Sequence, residues 1–162
     1  MFGGRKGGGG SGGAAAADAQ EEIIIPRNFK LLEELEKFEK GVSGVGISAG
    51  LVDADDIFLV EWNCSMLGLP GTVYQDRFYT LRVTCTPDYP NEPPIVRFVD
   101  RINMACVDQG NGLVNLGTVR QGDLRSGWNR NLGIEQVLKA IQVEMQAGSN
   151  RRREQPPEGA TY

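Results

Sequence analysis

The chain has 162 residues, of which 40% are hydrophobic and 23% are charged, and its net charge at pH 7 is −4. This composition is that of a globular protein, and the roughly 140 residues that follow a glycine-rich start can fold as one domain without a metal or disulfide staple. The negative charge argues against general binding to nucleic acid, which depends on clustered Lys and Arg. No apolar run approaches the ~20 residues of a membrane span. We therefore expect neither a nucleic-acid partner nor a membrane partner.

The cysteine and histidine content limits the chemistry that the chain can perform. There is no histidine, which removes the commonest general base and the commonest zinc ligand. The three cysteines, Cys64, Cys85 and Cys106, are an odd number without a CxxC pair, so they predict neither a disulfide framework nor a zinc site. Free thiols suit the reducing nucleus and cytoplasm. We expect the protein in these two compartments, without a metal or any other cofactor.

The N-terminal part of the chain divides into a tail and a helix. Residues 1–22 consist largely of Gly and Ala and are expected to form a disordered tail, which leaves 23–162 as the folded domain. A helix is predicted from Asn28 to about Lys40, where Gly41 ends it. Its core-facing stripe is formed by Leu31, Leu32, Leu35 and Phe38. Phe29 lies off this stripe, so it is either a staple against its own domain, which periodicity alone favours, or an anchor for a partner.

Four strands and a second helix are predicted in the rest of the chain. Alternating apolar residues place the strands at Val45–Leu51, Ile57–Met66, Phe78–Cys85 and Ile95–Val99. In the second strand, one face is expected to hold Phe58, Val60, Trp62, Cys64 and Met66. Residues 100–131 show no clear period, although Trp128 can pin this long loop to the core, and a helix is predicted from about Gly133 to Ala147. The order of elements predicts an α+β domain, with helices packed on one side of an antiparallel sheet.

The predicted order of elements resembles that of the ubiquitin-conjugating (E2) fold. The turn after the third strand carries the motif of that fold, Tyr89-Pro90-Asn91-Glu92-Pro93-Pro94. Three further segments are similar to those of the E2 variants, namely Pro26–Glu36, Arg101–Met104 and Gln155–Gly159. E2 variants are catalytically inert partners of an active conjugating enzyme. The resemblance covers about residues 25–162 and implies an N-terminal helix, a four-stranded meander, a long loop and a C-terminal helix.

The long loop lacks the residues that active members of the E2 fold use. Those members carry a His-Pro-Asn triplet, whose Asn helps to stabilise the oxyanion, and a nucleophilic cysteine about eight residues later. Here Ile102-Asn103-Met104 stands at the triplet, and the nucleophile position falls near Gly112 and Leu113. Cys106 lies in the same loop, but its neighbours supply no cation to lower the pKa of the thiol, and Asp108 would raise it. A structural Cys106 is therefore favoured, and an active conjugating enzyme that uses Cys106 remains an alternative.

The resemblance also implies two protein-binding sites and no catalytic residue. Phe29 is expected to enter a pocket on the conjugating partner, with Arg27, Asn28 and Leu32 in the same interface, so the resemblance favours the anchor over the staple. An acceptor ubiquitin is expected on the exposed sheet face at Ser48, Asn63 and Met66. By alternation Met66 can equally be a core residue, and without the resemblance Ser48 and Asn63 would be plain solvated positions.

The resemblance therefore implies a subunit that pairs with an active conjugating enzyme and positions ubiquitin for the synthesis of lysine-63-linked chains. A second alternative is a module of endosomal sorting that binds ubiquitin and Pro-rich peptides.

Overall fold

The computed structural model describes residues 27–41 and 46–162. The predicted tail at 1–22, the predicted domain start at 23–26 and the predicted strand start at Val45 lie outside these residues. The helices are α1 at 27–39 and α2 at Ile134–Glu144, and the strands are β1 at Ile47–Leu51, β2 at Glu61–Leu67, β3 at Phe78–Thr84 and β4 at Ile95–Phe98. Short 3-10 turns follow at Leu116–Thr118, Gly122–Leu124 and Gly148–Arg152.

The four strands form one antiparallel sheet in the order β1-β2-β3-β4, which confirms the predicted meander. One face of the sheet forms the core because its strands alternate between buried and outward-facing residues. The buried face carries Trp62, Cys64, Met66, Tyr79, Leu81, Val83, Val96 and Phe98. Helix α2 packs against β1 and β2 and buries Ile134, Val137, Leu138 and Ile141.

The second strand begins at Glu61 and not, as predicted, at Ile57. The carboxylate of Asp56 accepts hydrogen bonds from the backbone N–H groups of the next residues, which fold into a turn instead of a strand. Leu59 adopts a left-handed backbone with φ of 57°, and its side chain is buried. The prediction that Phe58 shares a strand face with Trp62 and Cys64 is wrong, since its side chain is exposed whereas theirs are buried.

A buried carboxylate joins α1 to the rest of the domain. Glu34 Oε1 accepts a hydrogen bond of 2.6 Å from the backbone N–H of Ile134, at the first turn of α2. Glu34 Oε2 accepts one of 2.6 Å from the hydroxyl of Tyr89, in the Tyr-Pro turn. Burial raises the pKa of Glu34 above 4.5, and these two hydrogen bonds, with Lys30 and Lys37, offset only part of that effect.

The long loop between β4 and α2 is held at several points. Trp128 donates its indole N–H to the carbonyl oxygen of Pro90 at 2.8 Å, and its ring centroid lies 5.8 Å from that of Tyr89. This contact confirms that Trp128 pins the loop. Further anchors along the loop are the buried side chains of Ile102, Met104, Val107, Val114, Val119 and Leu124. Within the described parts of the chain, no helix has the length and apolar character needed to cross a membrane.

Candidate functional site: a degenerate catalytic loop and two interaction surfaces

Gly112, one of the two residues near which the sequence places a nucleophile, leaves no room for a side chain. Gly112 has a left-handed φ of 80°, and its carbonyl oxygen accepts a hydrogen bond of 2.8 Å from Phe98 N. A Cβ placed at Gly112 would collide with the carbonyl oxygen of Phe98 and would lie 2.7 Å from Cδ2 of Tyr162. The neighbouring Leu113 forms a β-bridge with Arg97. Neither residue carries a nucleophilic group.

The C-terminal segment covers this loop. Tyr162 donates its backbone N–H to the carbonyl oxygen of Val99 at 3.1 Å, and the guanidinium of Arg101 lies 4.8 Å from the centroid of its ring. The side chain of Gln155 both accepts from the N–H of Asn103 and donates to its carbonyl oxygen. The amide nitrogen of Asn103 in turn donates to the carbonyl oxygen of Glu154. The segment that stands at the position of the catalytic triplet is thus bound by the chain's own C-terminal residues.

Cys106 lies beside the same loop in a setting that does not suit a nucleophile. Its side chain is only 4% exposed, and its Sγ lies 3.4 Å from the sulfur of Met104. Burial raises the pKa of the thiol to about 12, and the nearby carboxylate of Glu144 adds to that effect. Asp108, which the sequence suggested as the neighbouring charge, is not among the causes of the shift. The thiol is therefore protonated at neutral pH and is a poor nucleophile.

The start of α1 presents two apolar side chains to solvent. Phe29 is 63% exposed and Leu32, one turn later, is half-exposed. Residues three apart share one face of a helix, so these two side chains form a small apolar patch. Leu32 is not part of the core-facing stripe to which the sequence assigned it, whereas Leu31 is fully buried there. The exposure of Phe29 argues against the staple.

Arg27 is not an exposed rim residue, because its side chain is only 5% exposed. Its guanidinium donates to the carbonyl oxygens of Phe58 at 2.8 Å, Cys85 at 2.9 Å and Thr86 at 3.1 Å. It also donates to Asn28 Oδ1 at 2.9 Å. The expectation of a direct partner contact from Arg27 is corrected, since its donors bind the backbone that lies beneath the patch. A charged residue near a chain end is usually exposed, and the sequence carries no signal for this burial.

A second apolar feature, which sequence reasoning missed, lies next to the first turn of α1. Ile57 and Phe58 are both largely exposed and occupy the turn organised by Asp56. The hydrogen bond from Arg27 to the carbonyl oxygen of Phe58 holds this turn against α1. The usable signal was an Asp followed by two apolar residues, because Asp side chains capture the backbone N–H groups that follow them and form turns.

The outward face of the sheet carries two of the three residues predicted to bind ubiquitin. Ser48 is exposed, and its Oγ lies 2.6 Å from that of Ser65. Asn63 also faces outward, between Gly50 of β1 and Arg82 of β3. Met66 is fully buried, so its placement on this face is wrong, and the core position that alternation allowed is the one observed.

Phe78 was overlooked on the same face of the sheet. Its side chain is 69% exposed, and it pairs with Leu67 of β2 in the row next to that of Ser65 and Thr80. An aromatic residue that alternates with the inward-facing Tyr79 was the available signal, because successive strand residues point to opposite faces. The outward face is therefore polar at Ser48 and Asn63 and apolar at its Phe78 end.

Comparison with known proteins agrees with this geometry. The family described as "Ubiquitin-conjugating enzyme" matches residues 30–158. The chain belongs to the ubiquitin-conjugating enzyme family. Several of its similar members are named as E2 variants. The chain is 47% identical to the ubiquitin-conjugating enzyme spm2 of Schizosaccharomyces pombe over 138 residues, which cover 85% of this chain and 97% of that protein.

Two proteins named as E2 variants and one solved E2 structure are also similar to the chain. The chain is 41% identical to the ubiquitin-conjugating enzyme variant MMS2 of Saccharomyces cerevisiae, over 85% of this chain and 98% of that one. It is also 41% identical to the E2 variant 1D of Arabidopsis thaliana, over 86% and 94% of the two chains. The structure of human ubiquitin-conjugating enzyme E2 G1 superimposes with a TM-score of 0.64 at 26% identity and covers 75% of this chain and 95% of its own. The chain therefore has the E2 fold and is an E2 variant.

Proposed function

We propose that this E2 variant is a non-catalytic subunit that pairs with an active ubiquitin-conjugating enzyme and positions an acceptor ubiquitin for lysine-63-linked chain synthesis. The observation that carries the proposal is the combination of an exposed Phe29 with a filled loop at Gly112. A chain that displays an unpartnered aromatic side chain, and has no space for a thioester, is suited to bind an enzyme and not to be one. The similarity to proteins named as E2 variants supports the same assignment.

The proposed mechanism is positional. The partner enzyme carries the donor ubiquitin as a thioester, and this chain holds the acceptor on the outward sheet face near Ser48 and Asn63, so that one lysine faces the thioester. Holding two reactants in the attacking geometry can lower a barrier by up to about 7–11 kcal/mol in ideal cases. The type of linkage is then determined by which lysine of the acceptor ubiquitin faces the thioester. No acid–base residue of this chain is needed for the step.

A reconstituted reaction tests the proposal. Activating enzyme, ATP, ubiquitin and a lysine-63-specific conjugating enzyme are mixed with and without this chain, and we expect free ubiquitin chains only when it is present. Ubiquitin whose lysine 63 is replaced by arginine is the control and should give none. Chain formation that does not depend on this protein would contradict the proposed role.

Phe29→Ala tests the pairing itself. An aromatic anchor of this kind is typically worth about 2–4 kcal/mol, so we expect affinity for the conjugating enzyme to fall roughly 30- to 1,000-fold in titration calorimetry. Phe78→Ala removes an equally exposed phenyl ring from the sheet face and should leave that affinity unchanged. Equal affinities for wild type and Phe29→Ala would refute the anchor.

The alternatives make different predictions. An active enzyme that uses Cys106 would form a reducible thioester with ubiquitin, and the buried, high-pKa thiol argues against that. A module of endosomal sorting would bind Pro-rich peptides and would not need a conjugating partner. The three free cysteines are compatible with the nucleus and cytoplasm, the compartments in which we propose that the protein acts.

A further inference from the structure

Two arginines lie directly opposite each other on the outward face of the sheet. In the antiparallel register of β3 and β4, Arg82 pairs with Arg97, and both side chains are exposed. Residues that are directly opposite on one face have Cβ atoms about 4.5–5.5 Å apart, and two like charges in such a pair destabilise a sheet. The pair therefore weakens the fold and does not support it.

The carboxylates of the chain do not neutralise this pair. Among the described residues, neither arginine forms a salt bridge. Glu61, in the next outward row of the sheet, accepts the hydroxyl of Thr84, whose Oγ1 lies 3.0 and 3.1 Å from the two carboxylate oxygens. Asp100, just after β4, accepts a hydrogen bond of 2.6 Å from the backbone N–H of Thr80. Both of these acidic groups bind neutral donors, which leaves two positive charges exposed on a chain whose net charge is −4.

The pair adjoins the surface proposed for the acceptor ubiquitin. Asn63 lies directly opposite Arg82 in the register of β2 and β3, so one row of the sheet runs from Asn63 through Arg82 to Arg97. The next outward row holds Ser48 and Ser65. A guanidinium offers a planar set of donors that matches a carboxylate, and such charge-assisted pairs are among the stronger hydrogen bonds. The row therefore fits a protein surface that presents carboxylates.

We propose that Arg82 and Arg97 bind carboxylates of the acceptor ubiquitin when it lies on the outward face of the sheet. This inference rests on the proposed function and deepens it, because it assigns the charge of the acceptor surface that this chain recognises. Complementary charges guide the approach of two proteins and fix their relative register. The repulsion between the two guanidinium groups in the free chain is reduced when carboxylates of the acceptor lie beside them.

Chain synthesis at varied acceptor concentration tests the contact. The lysine-63-specific conjugating enzyme is loaded with donor ubiquitin whose lysine 63 is replaced by arginine, and unmodified ubiquitin is then added as the acceptor with the full chain. We expect Arg82→Gln/Arg97→Gln to raise KM for the acceptor at least tenfold and to leave kcat within about twofold of wild type, because a lost binding contact acts on KM. A merely structural role would lower the fraction of active protein, and hence kcat, without changing KM.

The matched control is Arg151→Gln/Arg152→Gln. It also removes two exposed, neighbouring guanidinium groups, from the turn that follows α2, and so changes the net charge by the same amount. This variant should keep the wild-type KM for the acceptor. An equal rise in KM for both double variants would show that net charge alone is responsible, and it would overturn the inference.

Stability provides a second measurement. Because Arg82→Gln/Arg97→Gln removes a repulsion between like charges, the urea concentration at its unfolding midpoint should be higher than that of wild type at low salt, although its synthesis is weaker. A variant that is more stable and less active marks a surface retained for function. A lower midpoint together with an unchanged KM would show that the pair has only a structural role.

Charge reversal tests whether the contact is direct. Arg82→Glu/Arg97→Glu should use the ordinary acceptor even more poorly than the glutamine variant does. Acceptor ubiquitins in which one surface carboxylate at a time is replaced by lysine are then supplied, and at least one should restore part of the synthesis. If none does, a direct contact with acceptor carboxylates is refuted.

The outcomes separate this inference from the function on which it rests. If Arg82→Gln/Arg97→Gln keeps the wild-type KM while the wild-type chain promotes lysine-63-linked synthesis, the inference is wrong and the proposed function stands. If the wild-type chain does not promote synthesis, both are overturned. Titration calorimetry should give the variant and the wild type equal affinities for the conjugating enzyme, and a loss of that affinity in the variant would contradict a role at the acceptor.

Discussion

At the residue scale, the backbone at Gly112 determines what the long loop can do. Its φ of 80° belongs to the left-handed region, where residues with a Cβ are strained. The carbonyl oxygen of Phe98 and the ring of Tyr162 occupy the space that such a Cβ would need. Arg27 shows the opposite case, in which a charged side chain is buried because three backbone carbonyl oxygens accept its donors.

Gly112→Cys should therefore fail to create an active enzyme. The new side chain must displace the ring of Tyr162, and the strained backbone costs about 1–3 kcal/mol, so we expect a lower free energy of unfolding and no thioester. Charging with activating enzyme, ATP and ubiquitin, followed by non-reducing gel electrophoresis, measures the second point. The control is Leu113→Cys, which places a thiol at the neighbouring position, where the backbone φ is not positive. A reducible ubiquitin adduct on Gly112→Cys would contradict this account.

At the scale of secondary-structure elements, one carboxylate joins α1, α2 and the Tyr-Pro turn. Glu34 lies between the N–H of Ile134 and the hydroxyl of Tyr89, and burial raises its pKa. A carboxyl group whose pKa is raised in the folded state favours folding most when it is protonated. Its contribution is thus fully present below the ordinary pKa of 4.5 and is lost as the pH rises through the raised native value.

Glu34→Gln should remove the pH dependence that Glu34 gives to the free energy of unfolding. The amide remains uncharged at every pH and keeps an oxygen for the N–H of Ile134. We therefore expect the variant to lack the fall in stability that we expect for the wild type as the pH rises from 4.5 through the raised native pKa of Glu34. Urea unfolding across that range measures the free energy of unfolding. Glu33→Gln, at the exposed neighbouring position, should retain the wild-type profile. Matching pH profiles for wild type and Glu34→Gln would show that Glu34 does not cause the pH dependence of stability.

Elements with a long, regular pattern were predictable from the sequence, and those governed by a single polar side chain were not. The alternation in the sequence of β3 places Tyr79, Leu81 and Val83 on one face, and all three are buried, because period two alone determines a half-buried strand. The alternation of the predicted second strand, extended back to Ile57, missed the turn that Asp56 forms, since periodicity carries no information about which N–H groups a carboxylate captures.

The site residues were predictable to different degrees. Helical periodicity placed Phe29 off the core-facing stripe but favoured a staple, and only the resemblance favoured the exposed anchor. The burial of Arg27 depends on carbonyl oxygens of Phe58, Cys85 and Thr86, which lie far away in sequence. Alternation did not decide whether Met66 lies in the core or on the surface. In the structure its side chain is fully buried in the core. Contacts between distant segments are what a single sequence does not show.

At the scale of the whole molecule, one scaffold presents the two separate surfaces that we propose to bind proteins. The core lies between the sheet and α2 and leaves the other face of the sheet to solvent. The start of α1 and the outward sheet face are formed by different segments, so a change to one surface need not disturb the other. This separation is what a positioning subunit requires, since it must hold a partner enzyme and a ubiquitin at once.

Ser48→Arg should separate the two binding functions. A long charged side chain on the outward face of β1 obstructs the acceptor ubiquitin, and we expect chain synthesis to fall by about tenfold, which corresponds to ~1.4 kcal/mol of lost binding. Affinity for the conjugating enzyme should stay at the wild-type level. Gln146→Arg, at an exposed position just after α2, is the matched control and should support normal synthesis. Loss of both properties in Ser48→Arg would show that the surfaces are not independent.

The ring of Tyr162 over Gly112 has an evolutionary consequence. A thioester at position 112 would require a cysteine there, a backbone that tolerates it, an oxyanion donor in place of Met104 and a C-terminal segment that no longer covers the loop. A single substitution to cysteine supplies only the first of these. A nucleophile at this position therefore cannot arise in one mutational step while the aromatic ring stays packed over the loop.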